Sequence, residues 1–193
     1  MVKILSFASM VLLMAGCSNP DDKQNRFVGD WRIVYDLGDD VLPFQSSIML
    51  SEDDDPVFYA INGDERIRAE TLVIKGDSIR VQLPIFNTEL IGCLKGDAIV
   101  GNFNDYSRKG IYAIPFKAFK GEMHRFDVAV SPKVDISGKW EVAFSPGSDH
   151  EYQAIGEFRQ EGDKAFGTFL TTTGDYRYLE GNVDGDKLLL SCF

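Results

Sequence analysis

The side chains able to do chemistry in this chain are few and scattered. Cysteines stand at Cys17, Cys93 and Cys192, and histidines at His124 and His150. A thiol works as nucleophile or redox centre in its thiolate form, which a cationic neighbourhood or a Cys-x-x-Cys partner stabilises. Around Cys93, in Leu90-Ile91-Gly92-Cys93-Leu94, the only cation at hand is Lys95. Cys93 therefore reads as a small buried hydrophobe in an apolar strand. A disulfide to Cys192 stays open, because sequence does not show whether the two α-carbons approach. The two histidines lie far apart and outside any metal-ligand spacing. Glu52-Asp53-Asp54-Asp55 resembles a calcium tetrad, but its acids are contiguous and followed by Pro56, so a solvated turn is the better reading. No Gly-x-Ser-x-Gly, phosphate-binding glycine loop or His-Glu-x-x-His is present. No catalytic residue, metal site or cofactor is assigned.

Cys17 has a chemistry of its own. Lys3 forms a positive start, and Ile4 to Met14 an apolar run too short to span a bilayer. Ala15-Gly16-Cys17 then offers small residues for a narrow peptidase cleft and a thiol for a diacylglyceryl group. This pattern matches a lipoprotein box, with Met14 where leucine is usual. It predicts a signal helix and signal peptide over residues 1–16, lipidation at Cys17, and a flexible polar tether over 17–26. Acyl chains add about 0.8 kcal/mol of membrane affinity per buried methylene. The expected location is the cell envelope, held to the outer membrane by lipid, with either face possible.

Thirty acidic against twenty basic side chains give a net charge of −10. Nucleic-acid binding needs clustered Lys and Arg to displace counterions, and no such cluster exists. A hydrophobic content of 44% is enough for a folded core.

The elements that must position any site are strands. Gly29-Asp30-Trp31-Arg32-Ile33 returns as Gly138-Lys139-Trp140-Glu141-Val142, and Gly76-Asp77 as Gly185-Asp186. Trp31 and Trp140 are the chain's only two tryptophans, 109 positions apart, and each opens a copy. Apolar-x-Gly-Asp-x-apolar occurs around Gly76, Gly96 and Gly185, where glycine supplies a tight corner. Asn62-Gly63 predicts a type I′ hairpin loop. Ile79, Val81 and Leu83 alternate onto one face. No amphipathic helical stripe follows Cys17. The expected fold is all-β: two tandem antiparallel meander or barrel-like (lipocalin-like) repeats, over 27–132 and 133–193, the second incomplete. Trp31 and Trp140 either plug the ends of these units or stack a ligand at their mouths.

The run Gly167-Thr168-Phe169-Leu170-Thr171-Thr172-Thr173-Gly174-Asp175-Tyr176-Arg177-Tyr178-Leu179-Glu180-Gly181, with Ile136 to Val142, resembles the N-terminal β region of TlpA-like redoxin lipoproteins. Ala60 to Ile67 and Ile114 to Ala118 fit the same pattern. The resemblance implies a β stem that precedes a thioredoxin-fold domain with a Cys-x-x-Cys pair. No such pair occurs here, so no catalytic residue carries over, and the chain looks like a truncated member. Three functions are thus expected to compete. One is a non-catalytic anchored stem meeting an envelope redox partner. Another is a lipocalin-like module for a small ligand or partner peptide. The third is an oxidoreductase using Cys93 and Cys192.

Overall fold

The computed structural model describes residues 25–110, 112–121 and 124–193. The expected signal helix and Cys17 lie outside them. The described residues form two curled antiparallel sheets, and none of their helices is long and apolar enough to cross a membrane.

The first sheet holds β1 (Gly29–Asp36), β2 (Val41–Leu50), β3 (Pro56–Asn62), β4 (Glu65–Arg68), β5 (Thr71–Lys75), β6 (Ser78–Leu83), β7 (Thr88–Lys95), β8 (Ala98–Asp105) and β9 (Tyr112–Lys120). Their spatial order is β4-β3-β2-β1-β9-β8-β7-β6-β5, so the two edge strands are consecutive in the chain. The residues between them face opposite neighbours. Ala69 N–H donates to Phe58 O in β3 at 3.0 Å, and Glu70 N–H to Gln82 O in β6 at 2.9 Å. Strands β4 and β5 thus act as one bent strand, and the sheet curls until its edges meet there, which protects backbone groups that an open edge leaves unpaired. Inward residues alternate along each strand, as in Ile79, Val81 and Leu83 of β6. With Trp31, Phe44, Ile48, Phe58, Leu90 and Phe116 they fill the interior. The residual cavity is about 20 Å³, room for no more than about one water.

The second sheet is a plain meander of β10 (Gly138–Phe144), β11 (Tyr152–Glu161), β12 (Lys164–Thr171), β13 (Gly174–Asp184) and β14 (Lys187–Ser191). The repeat is visible in its bonding. Gly29 and Gly138 both hold positive φ, +128° and +114°. Trp31 Nε1–H donates to Phe27 O, and Trp140 Nε1–H to Ile136 O, each at 2.7 Å. The bent strand β4–β5 and β6 correspond to β13 and β14 on either side of the repeated Gly-Asp. Among the described residues nothing in the second sheet corresponds to β7, β8 and β9.

Five hairpins turn on a Gly-Asp pair: Gly63-Asp64, Gly76-Asp77, Gly96-Asp97, Gly162-Asp163 and Gly185-Asp186. In each the glycine holds positive φ, from +54° at Gly63 to +66° at Gly162, while the aspartate does not. That is the demand of a loop with glycine in its first central position. The type I′ loop expected at Asn62-Gly63 is therefore displaced by one residue. Asn62 pairs with Glu65 inside the ladder, and its buried amide is used elsewhere.

The amide of Asn62 belongs to the seam between the sheets. Asn62 Oδ1 accepts from Phe193 N–H at 3.0 Å and from Arg125 Nη2 at 3.0 Å. Arg125 is buried and also donates to Ile61 O at 2.8 Å and Ser191 O at 2.9 Å. Gly63 N–H donates to Glu180 Oε2 at 2.8 Å. Ser191 Oγ–H donates to Pro43 O at 2.6 Å, and the Phe193 ring lies 4.5 Å from that of Phe44. Burial pulls the Arg125 pKa below the usual arginine value, against the field of Glu180.

Candidate binding face

Alternation decides what each face of the second sheet carries. The register sets Trp140 opposite Gly156, and Gly156 opposite Phe169. Residues of that parity form the concave face: Trp140, Val142, Phe144, Tyr152, Phe158, Phe169, Tyr176 and Leu188. The opposite parity carries Lys139, Glu141, Glu157, Arg159, Lys164 and Glu180 on the convex side, with Ile155, Phe166 and Leu170 among them. The sheet is therefore apolar inside its curl and mixed outside.

The concave rings form a connected surface. Phe144 stacks on Tyr152 at 4.8 Å and meets Phe169 edge-on at 5.0 Å. Phe169 meets Phe158 at 5.4 Å and Tyr176 at 6.3 Å. The hydroxyls of Tyr152 and Tyr176 lie 3.1 Å apart. Glycine makes this packing possible. A β-carbon on Gly167 would collide with the Phe158 ring and with Glu157 O, so the ring lies flat on bare backbone there. A recess of about 290 Å³ opens beside Trp140, lined by Ile136, Val142, Phe158, Phe169 and Leu188.

The two tryptophans part company here. Trp31 is 1% exposed, among the side chains of the first core, whereas Trp140 is 48% exposed. Trp140 instead lines an open apolar face together with Tyr152 and Tyr176, which are 40% and 46% exposed.

Cys93 is not buried. Leu90, Gly92 and Leu94 take the inward parity in β7, which turns Cys93 outward beside Ser78 Oγ at 3.4 Å. The stretch is apolar on both faces, so alternation could not reveal this. Cys192 is half-buried, and burial pushes its thiol pKa up. Both thiols are free. His124 Nδ1 lies 3.1 Å from Asp163 Oδ2 at the seam, and His150 is in an exposed loop. Glu52 to Asp55 form an exposed turn in which Ser51 and Asp55 bond to one another. Among the described residues no three His, Cys, Asp or Glu side chains gather as a metal site would require.

Sequence reasoning missed Arg125 and Glu89. The Glu89 carboxylate is fully covered on the outside of the first sheet. Arg80 Nε donates to it at 2.5 Å, and the Tyr106 hydroxyl donates to its other oxygen. With its acceptors occupied, it ties β6 and β7 to the Tyr106 loop and offers nothing to a substrate. Two wider clefts flank the seam. One is lined by Asp64, Lys139, Glu157 and Arg159, the other by Asp30, Arg66, Lys164 and Glu180. Both mix the two signs of charge, so neither focuses a field on a charged substrate. The arrangement can bind apolar surface; among the described residues no nucleophile, base and orienting group converge as catalysis would need.

No family model matches the chain, and neither the curated proteins nor the solved structures contain a match. The resemblance to redoxin lipoproteins therefore rests on the sequence motifs alone.

Proposed function

We propose that this chain is a non-catalytic, lipid-anchored protein of the cell envelope. In this reading the first sheet is a rigid spacer, and the concave face of the second sheet is a recognition surface. The contrast between the tryptophans carries the proposal. They sit in the same motif and make the same hydrogen bond, yet one closes a full core and the other stands open among aromatic rings. Exposed apolar patches of this kind mark interaction sites on proteins that otherwise cover such surface. The lipobox at Cys17 supports the anchor. The redoxin resemblance suggests a stem in a thiol–disulfide system, with an envelope redox protein among its partners.

A lipocalin-like ligand pocket is the second reading, and the recess beside Trp140 is what favours it. Its volume, about 290 Å³, lies at the lower bound of small-molecule sites, about 300 Å³. The first sheet's filled interior offers no such room.

Each part has its own test. Fatty-acid labelling should mark the wild type and fail with Cys17→Ala, which should leave the membrane fraction; retention there would refute the anchor. Insulin reduction should show no turnover, and turnover lost in Cys93→Ser would establish an oxidoreductase instead. An apolar dye such as bis-ANS, added to dilute protein, should shift Trp140 emission, and Trp140→Lys should abolish binding. Dye binding that survives Trp140→Lys unchanged would move the recognition surface elsewhere.

A further inference from the structure

We infer that two copies of this chain join through their second sheets, concave face to concave face, with β10 pairing antiparallel to its own symmetry mate. The inference rests on the reading of the concave face as a recognition surface and names its occupant.

Strand count sets the geometry. Five antiparallel strands leave β10 and β14, the two edges, running the same way. A two-fold axis perpendicular to the strands reverses the second copy. It sets β10 against β10, antiparallel like every other pair in the sheet, while the end of β14 keeps its own hold on β2 through Ser191 and Pro43. An axis along the strands would create parallel seams in an otherwise antiparallel sheet. Interfaces between identical chains most often have such two-fold, self-matching form.

The β10 sequence suits self-pairing. With the axis at Trp140, Lys139 faces Glu141 of the other copy, and the pair occurs twice by symmetry. Shifting the axis to Lys139 or Glu141 sets like charges directly opposite, which is unfavourable across a strand pair. Lys139 already meets Glu157 of its own chain at 2.6 Å, so the second carboxylate would complete a charge row along the convex side. On the inner side, Trp140, Val142 and Phe144 would come under the facing sheet.

The first sheet shows what such a cover does. There β7, β8 and β9 complete the curl over the strands that match β10 to β14, and Trp31 falls to 1% exposure. A second copy supplies strands in the place that β7 to β9 occupy in the first unit.

Sedimentation equilibrium of the full chain in density-matched detergent tests this. A dimer is expected at micromolar concentration. Glu141→Lys should weaken it at least tenfold, and combining it with Lys139→Glu and Glu157→Lys, which reverses the whole charge row, should restore it. A monomer at all concentrations overturns the pairing, as does a dimer indifferent to Glu141→Lys or a triple variant that stays weak. Bis-ANS on the same samples separates the two readings. A monomer that binds the dye at Trp140 refutes the pairing and keeps the recognition surface, and a monomer that binds none refutes both.

Discussion

At Tyr35 a polar atom is buried without a partner. Its ring packs against Phe44 at 5.3 Å and Phe103 at 5.2 Å, and its hydroxyl finds no hydrogen bond among the described residues. Burial pushes its ionisation far above the ordinary phenol value of 10.0. The folded state therefore keeps the proton that the unfolded chain gives up. Stability from this group is complete below pH 10 and falls as pH rises above it. Tyr35→Phe should be at least as stable as wild type at pH 7, since it removes an unsatisfied buried hydroxyl. It should also flatten the loss of stability in alkali, measured by urea denaturation at pH 8 and about pH 11. An unchanged alkaline slope would show that other groups govern it. The thiols give a second prediction at this scale. Cys93 faces solvent, whereas the half-buried Cys192 has a raised pKa and so less thiolate. Ellman's reagent should find one fast thiol in the described part of the native chain. Cys93→Ser should remove that phase, and its persistence would place the fast thiol elsewhere.

The strands differ in what protects them. In the first sheet the bent strand β4–β5 joins both edges, so its ladders are paired all round. Among the described residues no strand pairs beyond β10 or β14 in the second sheet, and β10 is the more exposed of the two. At dilutions where single copies dominate, hydrogen exchange should be slow at Ile33 and Val81 and fast along Lys139 to Ala143. Equal protection would contradict the difference in closure. Much at this scale was legible beforehand. Glycine before aspartate marked three of the five Gly-Asp hairpins, because positive φ there leaves few other residues. The paired Gly-x-Trp showed the duplication, because the tryptophan and its left-handed glycine are one motif. What escaped was long-range or unpatterned. Nothing in Leu90 to Leu94 distinguishes inside from outside. Asn62-Gly63 shifted register because the buried Asn62 amide serves Arg125 and Phe193, residues more than sixty positions away. The turn at Ala69-Glu70 depends on strands β3 and β6 meeting it in space, which local sequence does not record. The open concave face was legible only as a possibility, since Trp31 and Trp140 share a motif and differ only in what covers them.

For the whole molecule, a buried guanidinium reaches across the seam. Arg125 donates to Ile61 O, Ser191 O and Asn62 Oδ1, so it binds both sheets at once. Arg125→Leu leaves these acceptors without their donor and should cost about 2–4 kcal/mol in urea denaturation. It should also expose residues 124–137 to limited proteolysis, and a loss under about 0.5 kcal/mol with no new cleavage would refute its role as the tie. The same seam has a mechanical side. Phe193 is clasped by Asn62 at the end of β3 and lies on Phe44 of β2. A pull on Phe193 away from Phe27 would load the Asn62 clasp and the Phe44 contact before the ladder between β13 and β14. The contacts would break one at a time, as in a zip, and the first sheet would feel the force early. Pulled between Phe27 and Phe193, the chain would yield first between its two units, at low load, and leave each sheet folded.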